Sequence, residues 1–251
     1  IRMGWNVLNS EVDEFIDVLP AQQRVDEHWY QGTADAIYQN LYSIQSENPD
    51  QVLILAGDHI YKMDYLKMLQ YHVDKDADLS ISSLFVPKSL ASEFGVIKID
   101  EEYRVVDFVE KPKDPPEVPG RPGESFANMG VYVFKVDKLI STIREMGEKG
   151  LDNTDFGKHI IPYMIKDKSK VYSFRFEDEN KKEKPYWVDV GTLDSYYAAS
   201  MDLLNVNPMF NMYDASWPLR SQQIQSPPAK TISHEGERVG RAYNSLVTDG
   251  T

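Results

Sequence analysis

The sequence predicts an α/β fold, a layered domain with a largely parallel sheet flanked by helices. Three observations carry that expectation. Val52-Leu53-Ile54-Leu55-Ala56 is a continuous apolar run that leads straight into Gly57-Asp58-His59, and a short strand apolar on both faces is what a sheet buried on both sides requires. Strand-like and helix-like segments alternate over most of residues 33–204, the order of β-α units. With 251 residues, 41% of them hydrophobic, the chain can bury a sizeable core in one domain of ordinary size.

Each element follows from local pattern. Ala34, Ile37, Leu41 and Ile44 fall on one face and predict a helix over 33–45, with Gly32 or Thr33 in its N-cap region. After the strand at 52–56, Leu66, Leu69 and Val73 predict an amphipathic helix over 64–74. Strands are expected at 79–86, 95–99 and 105–109, the last two separated by the acidic turn Asp100-Glu101-Glu102. Pro112, Pro115, Pro116, Pro119 and Pro122 make 113–124 an exposed loop. A strand at 130–134 precedes helices over 137–148 and 156–165. Strands at 171–176 and 186–190 and a helix over 193–204 complete the pattern. Regularity stops after Asn207-Pro208, so residues 1–204 are expected to form the domain and 205–251 a linker.

Composition excludes several classes. A formal net charge of −13 argues against a general nucleic-acid binder. The absence of cysteine removes disulfides and thiolate metal sites and fits a cytoplasmic protein. No apolar stretch approaches the roughly 20 residues needed to span a bilayer. Residues 1–5 lack the apolar core of a signal peptide, so no membrane partner is expected.

In open α/β sheets ligands sit beyond the carboxyl ends of strands. Asp58 and Asp189 each end an apolar or aromatic strand, so both can point into one cleft, where a nucleotide or metal would be held. The plainer alternatives are that Asp58 caps the next turn and Asp189 caps the helix starting near Thr192. Glu110-Lys111 follows an apolar strand, where lysine can act as a point charge on a phosphate and glutamate can accept hydrogen bonds. An exposed ion pair of little energetic value is the alternative. The five histidines, His28, His59, His72, His159 and His234, lack metal-like spacing and read as structural or surface residues. Only His59 adjoins a candidate ligand.

The segment Ala56-Gly57-Asp58-His59-Ile60-Tyr61-Lys62-Met63-Asp64-Tyr65 resembles the metal-binding segment of bacterial ADP-glucose pyrophosphorylases, the glucose-1-phosphate adenylyltransferases. The resemblance continues in order through Leu19-Pro20-Ala21-Gln22-Gln23-Arg24, Trp29-Tyr30-Gln31-Gly32-Thr33-Ala34-Asp35-Ala36, Glu93-Phe94-Gly95-Val96 and Phe108-Val109-Glu110-Lys111-Pro112. It extends to Asp155-Phe156-Gly157-Lys158, Pro185-Tyr186-Trp187-Val188-Asp189-Val190-Gly191-Thr192, Met212-Tyr213-Asp214-Ala215-Ser216-Trp217-Pro218 and Pro227-Pro228-Ala229-Lys230.

The resemblance implies a Rossmann-like nucleotidyltransferase domain with a largely parallel mixed sheet flanked by helices. It implies adenylyl transfer from ATP to α-D-glucose 1-phosphate with Mg²⁺, giving ADP-glucose for glycogen synthesis. Asp58 and Asp189 match the metal ligands. Lys111 matches the residue that binds the sugar phosphate, and Glu110 the one that binds glucose. Gly95, Asn128, Tyr132, Asp155, Phe156 and Trp187 match the sugar pocket, although bacterial members often carry Ser at the position of Asn128. Tyr30, Gln31, Gly32 and Thr33 lie where the adenine is expected, and Gln22, Gln23 and Arg24 match a loop linked to nucleotide binding or activation. The family pattern also implies an upstream Gly-rich segment and a C-terminal left-handed β-helix domain. The chain is therefore expected to be a fragment, inactive alone, of a homotetramer controlled by small-molecule allosteric effectors. A nucleotidyltransferase using another nucleoside triphosphate, or a non-catalytic regulatory subunit, is the alternative.

Overall fold

The computed structural model describes residues 15–20, 29–148, 155–219, 227–231 and 240–247. They fall into two compact units. One, here the sheet unit, comprises Leu19–Gly57 and Met63–Glu177; the other, the ribbon unit, comprises Ile1–Val18, Asp58–Lys62 and Asp178–Thr251. Gln22, Gln23, Arg24, His28 and His234 lie outside the described residues.

The sheet unit begins with α1 (Thr33–Tyr38) and α2 (Leu41–Glu47), two helices where one was expected. The break falls at Asn40, whose Nδ2 donates to the Ala36 carbonyl and to Tyr30 Oη, each at 2.8 Å. Such local side-chain bonds compete with helix continuation. Then come β1 (Gln51–Leu55), and α3 (Tyr65–Asp74), capped by Asp64 Oδ1 accepting the Leu66 amide at 3.0 Å. The buried residues of α3 are Met68 and His72, whereas Leu66 and Val73 of the expected stripe are exposed. His72 can be interior because Ser80 Oγ lies 2.9 Å from its Nδ1, and burial lowers its pKa to about 4, keeping it neutral.

The strands that follow are β3 (Leu79–Pro87), β4 (Gly95–Ile99), β5 (Val105–Glu110), β6 (Glu124–Lys135) and β7 (Val171–Arg175). We number the ribbon strands β2 (His59–Tyr61) and β8 (Trp187–Asp189) to keep chain order. The main sheet has the order β5-β4-β6-β3-β7, with β1 also on β6. Among the described residues only β3–β7 is parallel; β1–β6, β3–β6, β4–β5 and β4–β6 are antiparallel. The α/β class holds, but the expected largely parallel pairing is corrected to a mixed, mostly antiparallel sheet. The reason is β6. At 12 residues it is long enough to pair with β3 on one edge and with both β4 and β1 on the other. The strands it separates are the ones the sequence order would have made neighbours.

The core forms where β6 and β3 meet the helices. Phe126, Met129, Val131, Val133 and Phe134 of β6 and Leu79 and Ile81 of β3 are fully buried. Leu139, Ile143 and Met146 repeat along one face of α5 (Val136–Glu148), and Ile161 and Met164 lie on α6 (Ile161–Lys166). Each such side chain contributes about 1.5–3 kcal/mol on burial. The expected helix over 156–165 is a π-helical turn, Phe156–Ile160, running into α6.

In the ribbon unit β2 and β8 pair antiparallel over only three positions. Then α7 (Leu193–Asp202) starts at a capping box between Thr192 and Ser195. The short strand β2 and the turn of helix α4 (Lys88–Ala91) had no counterpart in the sequence expectation. Among the described residues no helix is long and apolar enough to cross a membrane.

Candidate active site

The candidate metal ligands are carried by the ribbon, Asp58 also lying three residues beyond the end of β1. Asp58 precedes β2 and Asp189 ends β8, and the register pairs His59 with Asp189. The Val190 amide donates to the Asp58 carbonyl at 3.0 Å and closes that end. One ligand atom from each of Asp58, His59 and Asp189 lies within 4.8 Å of the others. His59 Nε2 is 3.6 Å from Asp58 Oδ1 and 4.0 Å from Asp189 Oδ2. The two carboxylates are 62% and 43% exposed, and the imidazole is 12% exposed.

The Gly191 amide donates to Asp189 Oδ1 at 2.7 Å, and a Cβ on Gly191 would stand 2.9 Å from that oxygen. The glycine therefore lets the chain turn back onto its own carboxylate. Two convergent carboxylates fit a hard divalent cation, and the imidazole adds a donor suited to softer ones. Sequence reasoning noted that His59 adjoins Asp58 but read it as structural or surface. Its signal was a direct adjacency to Asp58, which i,i+4 spacing does not capture. Trp187, expected among the sugar residues, belongs to this unit, its ring 5.1 Å from that of His59 in an edge contact.

The sheet unit gathers a second group around Glu110, the last residue of β5, which pairs with Gly95 at the start of β4. Its carboxylate lies over two glycines. A Cβ on Gly95 would stand 2.8 Å from Glu110 Oε2, and one on Gly157 would stand 2.6 Å from it. Gly157 was not among the expected site residues. Asp155 caps the π-helical turn, its Oδ1 accepting the amides of Gly157 at 2.8 Å and Lys158 at 3.1 Å. Its Oδ2 accepts from Thr33 Oγ1 at 3.3 Å, so a residue assigned to the nucleotide meets one assigned to the sugar.

Tyr132 stacks on Phe156 with centroids 5.5 Å apart. Asn128 Nδ2 donates to Tyr132 Oη at 2.8 Å while its Oδ1 accepts the Gly130 amide at 3.0 Å. The extra reach of Asn over Ser thus pins the tyrosine ring. Lys111 is exposed, and its backbone takes φ +46°, a left-handed conformation that a non-glycine residue adopts at a cost. Its amide donates to the Phe94 carbonyl at 3.1 Å. Gly32 is the N-cap position of α1, the Gln31 amide donates to Asp35 Oδ2 at 2.9 Å, and Tyr30 Oη donates to the Pro20 carbonyl at 3.4 Å.

Burial, reinforced by the Asp155 charge, raises the Glu110 pKa, with Lys111 and Lys158 opposing. The fold thus favours neutral Glu110. That contribution to stability is present below the ordinary carboxylate pKa and is lost as pH rises through the raised native value. Glu110→Gln is therefore expected to raise the melting temperature at pH 7 but not at pH 3. A pH series of thermal melts checks this; equal or lower stability of the variant at pH 7 would count against a strained carboxylate.

The nucleotidyl transferase family model matches residues 5–206, and the chain belongs to that family. Glucose-1-phosphate adenylyltransferase from Methylococcus capsulatus is 47% identical over 250 residues, covering the whole of this chain and 59% of the relative. The proteins of the same name from Dechloromonas aromatica and Koribacter versatilis are 47% and 48% identical, again over the whole chain and over 58% and 60% of the relative. The chain thus spans 58–60% of the length of these relatives.

Proposed function

We propose that the full-length protein transfers the adenylyl group of ATP to α-D-glucose 1-phosphate, releasing pyrophosphate and forming ADP-glucose for α-glucan synthesis. The observation that carries the reading is the similarity of the entire chain, at 47–48% identity, to proteins named for that activity. Asp58 and Asp189, with His59 beside them, would hold Mg²⁺. When bound, the ion supplies charge neutralisation of the triphosphate and electrophilicity at the α-phosphorus.

The chain's own residues bring two polyanions together and orient them. Glu110 accepts hydrogen bonds from glucose hydroxyls. Lys111 offers a point charge to the sugar phosphate, whose oxygen attacks the α-phosphorus in line. Gly95, Asn128, Tyr132, Asp155, Phe156 and Trp187 shape sugar recognition, and Tyr30, Gln31, Gly32 and Thr33 receive the adenine. Residues 1–204 are the catalytic domain, and 205–251 lead toward a C-terminal left-handed β-helix domain. The complete protein is a cytoplasmic homotetramer tuned by small-molecule effectors.

The test is pyrophosphate release by the full-length protein with glucose 1-phosphate, Mg²⁺ and each of ATP, UTP, dTTP and GTP. ATP is expected to be preferred strongly. Preference for another nucleotide would reject ADP-glucose while keeping the family chemistry. Release with none would favour a regulatory subunit.

A further inference from the structure

A ribbon of three residue pairs is marginal by itself, yet it carries Asp58, His59 and Asp189. Something outside the ladder must fix it. Lys62, next after β2, has a side chain with 0% exposure. Burying an ammonium is costly unless it is paired and hydrogen-bonded, so its partners indicate what the cost secures. Nζ donates to the Asn211 carbonyl at 2.6 Å, lies 5.5 Å from the centroid of the Phe210 ring and stands 3.9 Å from Asp214 Oδ2. Asp214 is oriented in turn by Ser216, whose amide and hydroxyl both donate to its Oδ1.

The same short segment is also gripped from the side of β8. The Asn211 amide donates to Asn180 Oδ1 at 3.3 Å, and the Phe210 ring packs on Tyr186, directly before β8, at 5.6 Å. Asn211 is therefore held by its carbonyl from Lys62, directly after β2, and by its amide from Asn180, in the segment that leads into β8. The backbone ends are tied as well, with the Glu179 amide donating to the Lys62 carbonyl at 3.2 Å.

We propose that Lys62 is a positioning residue for the divalent-metal group: it clamps segment 210–214 across both strands of the ribbon and so sets the separation of Asp58 and Asp189. This rests on the metal reading above. Segment 210–214 lies within the stretch, 205–251, expected to lead into a further domain, so the clamp also gives that stretch a direct mechanical hold on the metal ligands.

The test uses the full-length protein with Mn²⁺ as the probe, bound and free ion being separated by electron paramagnetic resonance, alongside thermal melting. Lys62→Met is expected to weaken Mn²⁺ binding about tenfold, the scale of losing a group that orients a ligand. Phe210→Ala and Asp214→Asn, which loosen the segment without touching β2, are expected to weaken it in the same direction. They carry the test if Lys62→Met does not fold. Folded Lys62→Met and Phe210→Ala proteins that bind Mn²⁺ as the parent does, beside an Asp58→Asn protein that does not, would overturn the inference alone. An Asp58→Asn protein with unchanged Mn²⁺ binding would overturn the metal reading and this inference with it.

Discussion

Replacing Asp58 with Asn in the full-length protein is expected to lower turnover about a thousandfold, the upper range for removing one preorganised electrostatic group from a polar transition state. The KM values for ATP and glucose 1-phosphate should change by less than about threefold, because the loss concerns charge that matters most in the transition state. Asn keeps the shape of the side chain and leaves the Asp58 carbonyl free to accept from Val190. The carboxylate is 62% exposed, so removing its charge relieves little desolvation and should leave the melting temperature near that of the parent. What disappears is one anionic oxygen of a two-carboxylate group. Steady-state rates at saturating Mg²⁺ and a parallel Mn²⁺ titration separate the effects. Near-parental turnover would remove Asp58 from the metal role.

The sequence was most readable where one local rule dominates. The apolar run at 52–56 became β1, displaced by one residue, and the repeat over 137–148 became α5. It was least readable where pairing partners lie far apart in the chain. Glu124, Ser125 and Asn128 hid the first half of β6 because they interrupt an apolar run, although Ser125 and Asn128 satisfy their polar atoms locally against Pro116 and Gly130. The expected half, 130–134, already pairs antiparallel with β1 and β3, and the hidden half adds the rest of the β3 ladder and the contact with β4, partners that local pattern does not reveal. In α3 two stripes of similar spacing competed. The buried one contains His72, admissible only because Ser80 supplies a partner that no helical periodicity reveals.

The candidate residues divide along the same line. Residue types at strand ends pointed to Asp58, Glu110 and Asp189. Of the residues that shape their surroundings, His59 was noted but given no role and Gly157 and Gly191 were given none, because their value lies in cross-strand register or in the space a missing Cβ leaves.

Gly157→Ala is expected to raise the KM for glucose 1-phosphate about a hundredfold, the penalty for displacing a positioning group by roughly 1 Å. The new Cβ would stand 2.6 Å from Glu110 Oε2, closer than any relaxed contact, and 3.2 Å from Glu110 Cδ, a tight one. The carboxylate is the movable partner, so it will swing away, and it is the group proposed to hold the sugar. Backbone strain is not the cause. Gly157 is not among the positive-φ glycines, and alanine in a helical turn regains about 0.5–1 kcal/mol over glycine. The melting temperature should therefore hold while sugar-phosphate affinity falls. Gly95→Ala should behave differently, since its Cβ would also meet the buried Phe108 ring at 2.5 Å and force the core to shift. Comparing the two variants separates displacement of Glu110 from general damage. A Gly157→Ala protein with parental KM for the sugar phosphate would mean that the carboxylate, as the two glycines hold it, is not the sugar anchor. A raised KM matching that of Glu110→Gln would tie the bare Cα of Gly157 to substrate recognition.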